Sequence, residues 1–422
     1  MDLSILTMFA GVLVTIVGVF WAFYAIAGLI LKTKPLKDPI GTKQKLSIIF
    51  PATLILKPKK LDGPKIGISL PVTFVFKLRT PDYPKFSILI PAKNEEKVIE
   101  NILDDLLAQT YKNFEVFVIC HNCTDGTFRK AERYAKRDYR IRLLLLSGQE
   151  GKAVALNYGA KHATGDIIAV FDADNRVPPS SLEKALKYFS KYDAVQSRIE
   201  ASNANFSLIS KLADLEIAVF SEMFQKTRHA LGINVGLGGT GEFIRREVLE
   251  KVGYWDNNLT EDFALFAKLT RHNYKIGWAH DITIYDEKTP FAYSMLKQRA
   301  RWLRGHFDVM LNNLRYFLKD PLNFHYLIAP LAVIGYYVIY FLWVLTVLSV
   351  PFNVWYIPLW VWLLPSATFF TGIAAQIVKA RKVSDLIYVP LLLLYLYHWQ
   401  IAFIGMFMIK NWNNAKTQHG FR

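Results

Sequence analysis

The sequence predicts an α/β domain built on a mostly parallel sheet, with transmembrane helices at its N- and C-terminal ends. Two observations carry the soluble part: short unbroken apolar runs alternate with helical periods, and polar loops follow the ends of those runs. The third is a set of long uncharged apolar stretches near both ends of the 422 residues.

The alternation begins at Lys85. Residues 86–91 are an apolar run ending in a Pro/Asn turn, and 95–108 place Val98, Ile99, Ile102, Leu103, Leu106 and Leu107 at helical spacing. A second strand is predicted over 114–120, a polar helix over 127–137 and a third strand over 141–146. A helix over 152–163 and a strand over 166–171, ending on Asp172, complete the pattern. Strands buried on both faces read as continuous apolar runs, and they pair in parallel with helices on either side. Ligands of such sheets sit beyond the carboxyl ends of the strands. The loops at 92–95, 121–125 and 172–174 are therefore expected to converge on one edge.

Ile5 to Leu31 is 27 residues without a charge, Tyr326 to Val378 is 53, and Leu386 to Ile409 is 24. About 20 apolar helical residues cross a hydrocarbon core, so the first and last stretches predict one span each. The middle one, broken at Pro351 and Pro358, predicts two spans and a turn, so that with the last stretch the 326–410 region is expected to hold three transmembrane segments. The first stretch is too long for a signal-peptide core and has no small-residue cleavage site after it, which favours a retained anchor.

Residues 32–85 hold twelve Lys/Arg against three Asp, so nine of the sixteen net positive charges follow the first apolar stretch. The positive-inside rule then places that flank and the soluble domain in the cytoplasm. No nucleic-acid-binding module accompanies the charge, and juxtamembrane lysines suit anionic lipid. Lys379 to Lys382 and the tail from Lys410 cannot both be inside unless a C-terminal run is re-entrant. Cys120 and Cys123 form a lone C-x-x-C in a segment where thiols stay reduced, which favours incidental cysteines.

Three groups of residues carry chemistry. Asp172-Ala-Asp174, directly after an apolar strand, offers hard oxygen ligands that leave sites open for phosphate, the pattern that suits Mg²⁺ or Mn²⁺. Thr260-Glu261-Asp262 precedes a helical run over 263–271, so Asp262 is either a capping carboxylate or a general base, with Glu261 beside it. Gln298-Arg-Ala-Arg301-Trp302 lies on a predicted amphipathic helix over 290–318. There Arg301 can pair with diphosphate oxygens and Trp302 can face a sugar, or both can anchor an interfacial helix. The glycine-rich Gly236 to Gly241 lacks the lysine of a phosphate-binding loop, and Lys152 follows Gly151 where it can reach phosphate.

In order, 91–95, 124–127, Gly151-Lys152, Asp172-Ala-Asp174, Gly239-Thr240-Gly241, Thr260-Glu-Asp262 and Gln298 to Trp302 resemble membrane-embedded family 2 glycosyltransferases with the Rossmann-like GT-A fold. That group includes cellulose, hyaluronan and poly-N-acetylglucosamine synthases, and the resemblance covers about residues 86–305. It implies that Ala92, Asn94, Glu95 and Asp125 line the nucleoside pocket, with Lys152 and Asp172 near the nucleotide and Asp174 as metal ligand alongside Asp172. It implies Asp262 as base, with Gly239, Thr240, Gly241, Glu261, Gln298, Arg301 and Trp302 on the diphosphate and acceptor side.

The implied reaction is inverting transfer from a nucleotide-diphosphate sugar to a growing β-linked polysaccharide at the cell membrane. Ceramide glucosyltransferases carry similar acids and a comparable Q/R-x-x-R-W, so transfer of one sugar to a lipid is the alternative. His121 stands where family members often carry an acid that contacts the base, which opens guanosine beside uridine. The expected organisation is a transmembrane helix at 1–31, a basic linker with a short apolar ribbon at 32–84 and the GT-A domain at 85–290. Interfacial helices follow at 291–320, then the three spans.

Overall fold

The computed structural model describes residues 23–33, 83–320, 374, 377 and 382–409. Most of the first apolar stretch, the ribbon expected between 46 and 78, and nearly all of 326–378 lie outside the described residues.

The domain opens with β1 (Phe86–Ala92), α2 (Ile99–Leu107), β2 (Phe114–His121), α3 (Thr127–Arg137) and β3 (Ile141–Leu146), with α1 (23–30) ahead of it. There follow α4 (Lys152–His162), β4 (Ile167–Val170), α5 (Ser181–Tyr188), β5 (Ala194–Ala201) and α6 (Leu208–Phe220). A wide turn over Ser221–Gln225 leads to α7 (Lys226–Ala230), then β6 (Glu242–Arg245), α8 (Arg246–Val252), α9 (Glu261–Arg271), β7 (Ile276–Asp286) and α10 (Ala292–Lys319). Near the C-terminus come a 3-10 turn (Val383–Tyr388), α11 (Val389–Leu396) and α12 (His398–Met406).

The strands form one seven-stranded sheet in the order β3-β2-β1-β4-β6-β5-β7. All neighbours are parallel except β6, which runs antiparallel to β4 and β5. Successive residues of a strand point to opposite faces, and the core divides accordingly. Phe86, Ile88, Ile90, Val116 and Val118 pack with α2, α3 and α5. Leu89, Phe117, Ile119, Ile168 and Val170 pack with α4, α8 and α9. Three layers result, and the polar loops are left at the strand ends.

The amino-terminal edge of the sheet is pinned by Glu115, which is buried on β2. It accepts hydrogen bonds from Ser87 Oγ at 2.7 Å, Lys85 Nζ at 2.8 Å and the Thr164 amide at 2.8 Å. Burial opposes its ionisation, but these donors win and hold the carboxyl down to about 2, against an ordinary 4.5. A carboxylate depressed in this way contributes stability in full above the unfolded value and loses it as pH falls toward the folded one. Glu115→Ala should therefore lower stability by about 2 kcal/mol at pH 7, and the difference in thermal midpoint should shrink between pH 4.5 and 2. A constant difference across that range would contradict this role.

Among the described residues no single helix is long and apolar enough to cross a membrane. The run expected as one span at 386–409 is instead a bent pair, Val383–Leu392 and Leu394–Met406, at 45°. By length and composition the two pass only together. Pro390 stands at the start of α11, where its missing N–H costs nothing. Ala402, Met406 and Ile409 pack on Ala300 and Leu303 of α10. Ile387, Leu394, Ile401, Ile404 and Phe407 are left exposed.

Candidate active site

The ends of β1 and β2 are laced together by the residues expected around the nucleoside. Asn94 takes a left-handed conformation, φ 60°, which asparagine tolerates. Its Oδ1 accepts the Thr124 amide at 2.8 Å. The Glu95 N–H donates to Thr127 Oγ1 at 2.8 Å, and Asp125 accepts the Glu96 and Thr127 amides at 3.1 and 3.0 Å. Burial raises the Asp125 pKa, but the Thr127 hydroxyl and these amides outweigh it and keep the carboxyl below its ordinary range. Ala92, the last residue of β1, accepts a hydrogen bond from the Cys123 thiol at 3.3 Å. Both cysteines are free thiols.

One strand over, four separate chain segments meet at Lys152, the first residue of α4. Its Nζ lies 2.5 Å from Asp172 Oδ1 and 3.6 Å from Glu261 Oε1, and it donates to the Gly239 carbonyl at 2.7 Å. Gly239 has φ +78°, and a Cβ there would sit 3.2 Å from Asp262 Oδ2 and 3.4 Å from Lys152 Nζ. Only glycine combines that conformation with so close an approach. Gly241, two residues on, gives its carbonyl to the Ser197 amide at 2.9 Å. Arg301 of α10 donates from Nη1 to the Leu259 carbonyl at 2.8 Å, just ahead of α9, and its charge acts on Glu261, Asp262 and Asp172.

The electrostatics follow from this convergence. Burial pushes the Glu261 carboxyl up to about 7, and Lys152 pulls against it. Asp262 is raised for the same reason, with Lys152 and Arg301 again opposing. Burial disfavours the Lys152 ammonium, yet Asp172 and Glu261 hold its pKa above the ordinary lysine range. Burial that raises a carboxylate's pKa makes it a stronger base, and both acids stand in the first turn of α9.

Asp172 and Asp174 lie on the turn that follows β4. The Asp172 amide donates to Thr240 Oγ1 and to Asn175 Oδ1, both at 3.0 Å, while Thr240 Oγ1 also bonds Asn175 Oδ1. Asp174 is buried and Asp172 is the more exposed of the two. Such hard carboxylate oxygens fit Mg²⁺ or Mn²⁺. Among the described residues no cluster of three His, Cys, Asp or Glu could hold a metal ion. Donor phosphates would therefore have to complete the coordination shell.

The α10 helix reaches this pocket because Gly305 lets it touch the start of α9. A Cβ on Gly305 would meet Thr260 Oγ1 at 2.5 Å and the Thr260 amide nitrogen at 2.9 Å. Gln298 and Trp302 of the same helix are engaged elsewhere. Gln298 Oε1 accepts from Arg299 Nη1 at 3.2 Å, and the Arg299 guanidinium covers one face of Trp302 at 4.1 Å. Arg299 also pairs with Glu216 of α6 at 2.8 Å, and Trp399 Nε1 donates to the same carboxylate at 2.7 Å. Arg299 and Glu216 escaped sequence reasoning, although two acids, Asp214 and Glu216, inside the otherwise largely apolar run 208–220 were a signal. So did Glu242, which directly follows the Gly239-Thr-Gly241 triplet and is fully buried.

The chain is similar to several known proteins. A beta-monoglucosyldiacylglycerol synthase of Nostoc sp. is 34% identical over 241 residues, 55% of this chain and 51% of that protein. The poly-beta-1,6-N-acetyl-D-glucosamine synthase of Staphylococcus aureus is 28% identical over 224 residues, 52% of this chain and 54% of its own. The chain thus spans about half the length of the curated relatives it matches. The mannosyltransferase PcManGT of Pyrobaculum calidifontis, solved with GDP-Man and Mn²⁺, shares the fold. It superposes with a TM-score of 0.58 at 18% identity, covering 93% of this chain and 99% of its own. Residues 84–305 match the family model described as glycosyltransferase like family 2. That match runs from the start of the sheet through Arg301 and takes in more than half of the sequence, so the chain belongs to glycosyltransferase family 2 and carries its GT-A α/β fold.

Proposed function

We propose that the protein catalyses inverting, cation-dependent transfer of a sugar from a nucleotide-diphosphate sugar to an acceptor at a membrane surface. The observation that carries this is the convergence of Asp172, Gly239 and Glu261 on Lys152, with Asp262 against Gly239. The acceptor hydroxyl attacks the anomeric carbon as its proton passes to the Asp262 carboxylate. The bond from that carbon to the diphosphate breaks, and its electron pair leaves with the nucleoside diphosphate. Lys152 and Arg301 stabilise the charge that develops on the departing group, which is the larger part of such catalysis. A divalent cation bound by Asp172 and Asp174 would supply further charge neutralisation there.

We assign the acceptor as a growing β-linked glycan. A lipid acceptor is the second reading, supported by the 34% identity to a glucosyldiacylglycerol synthase and by the exposed apolar side chains of α11 and α12 beside α10. The basic 32–85 segment and those side chains support a location at the cell membrane, with the domain on the cytoplasmic side. The buried His121 imidazole, whose pKa burial lowers, meets a nucleobase as a neutral hydrogen-bonding group, so guanosine and uridine donors are both candidates. The full chain in lipid nanodiscs, given Mn²⁺ and radiolabelled UDP-glucose, UDP-N-acetylglucosamine or GDP-mannose, should yield a β-linked product. High-mass polymer supports the first acceptor and a single glycolipid the second. An α-linked product, or no transfer from any donor, would overturn the assignment.

A further inference from the structure

Glu242 is the first residue of β6 and is fully buried. Its strand neighbours are Val170 of β4 and Gln196 of β5, neither ionisable. One carboxyl oxygen accepts the Gly239 amide at 2.7 Å, and the other, Oε2, has no hydrogen-bond partner among the described residues. The charged groups that face it are Asp262 and Glu261 from α9 and Lys152 from α4.

We propose that Glu242 is a positioning residue of the transfer site, whose carboxyl holds the Gly239 turn against Lys152 and Asp262. The same glycine gives its amide to Glu242, gives its carbonyl to Lys152 at 2.7 Å and brings its Cα against Asp262. A turn of three glycines in four residues has little rigidity of its own. Its place relative to the ammonium and the base is therefore set by whatever anchors it. Burial, then the charge of Asp262, push the Glu242 carboxyl up to about 8. Near pH 7 the anchor thus adds no negative charge to a pocket that must receive a diphosphate.

The inference rests on the proposed role of Asp262, and the test separates the two. The full chain is assayed with whichever of UDP-glucose, UDP-N-acetylglucosamine and GDP-mannose supports turnover. Glu242→Ala should lower kcat about 100-fold with little change in donor KM, the scale of loss that a displaced reacting group produces. Glu242→Gln, whose amide oxygen can still accept the Gly239 N–H, should keep kcat within about threefold of wild type. Above pH 8 the wild-type donor KM should rise as Glu242 ionises, while that of Glu242→Gln stays level. Wild-type kcat in Glu242→Ala, a glutamine variant as poor as the alanine one, or matching pH profiles would each overturn the proposal. If Glu242→Ala does not fold, the glutamine profile alone decides. Full activity in a parallel Asp262→Asn would refute the base, yet the alanine–glutamine contrast would still report on the turn.

Discussion

Asp262→Asn should lower kcat by about 1000-fold, the upper part of the range that general base catalysis supplies, while nucleotide diphosphate affinity stays nearly constant. Asparagine keeps the shape of the side chain against Gly239, where the Asp262 carboxylate makes its close approach. It cannot accept a proton. Glu261 is a poor substitute, because it is buried and lies 3.6 Å from Lys152. The pH profile carries a second signature. Burial raises the Asp262 pKa, so the wild-type rate should fall as pH drops through a value above the ordinary aspartate range. Below that value the base is protonated and inactive, and the limb should vanish in Asp262→Asn. A variant with wild-type kcat and an intact limb would remove Asp262 from the mechanism.

Arg301→Ala has the next largest expected effect, a loss of about 100-fold or more in kcat/KM, comparable to deleting one donor from a charge-stabilising site. The guanidinium is set by its bond to the Leu259 carbonyl at 2.8 Å. Burial lowers its pKa, and the acids Glu261, Asp262 and Asp172 counteract that. Removing the positive charge leaves Glu261 and Asp262 with less to offset their burial, so both pKa values rise and the acid limb moves to higher pH. Arg301→Lys keeps the charge without the planar fork and should fall between. Kinetics from pH 5 to 9 would read both effects. An unmoved limb in Arg301→Ala would show that Arg301 does not share a field with the base.

The half of the sheet that could be read from sequence is the half whose strands are apolar on both faces. The segments 86–91, 114–120, 141–146 and 166–171 all became β1 to β4 within a residue or two. Helices at 127–137 and 152–163 were equally legible, because their ends coincide with turn residues. The helix expected over 95–108 begins only at Ile99, since Asn94 is left-handed and Glu95 is held by Thr127 in the turn before it. Strands β5, β6 and β7 went unseen. β5 buries Gln196 and Ser197 and β6 buries Glu242, so their inward residues look like surface. Those polar residues face the site, and it is the chemistry that hides the strands. β6 also runs antiparallel, out of step with the alternation before it.

At the site, residue types and order were visible in the sequence, whereas the partners were not. Nothing in the spacing joins Lys152 to Asp172 or Gly239, because that contact depends on how α4 and the β4–β6 pair cross. Likewise the Trp302 ring, expected to be open to sugar, has one face covered by Arg299 because Glu216, on a helix far away in sequence, draws that guanidinium inward.

Calorimetric titration of the full chain with UDP-N-acetylglucosamine and GDP-mannose, with and without Mn²⁺, tests most directly whether one cation-dependent pocket exists. At least one donor should bind with Mn²⁺ present, with affinity falling at least about tenfold in chelator, and Asp172→Ala and Asp174→Ala should bind no better with Mn²⁺ than without. Equal affinity in chelator, or unaltered Mn²⁺ dependence in both alanine variants, would contradict it.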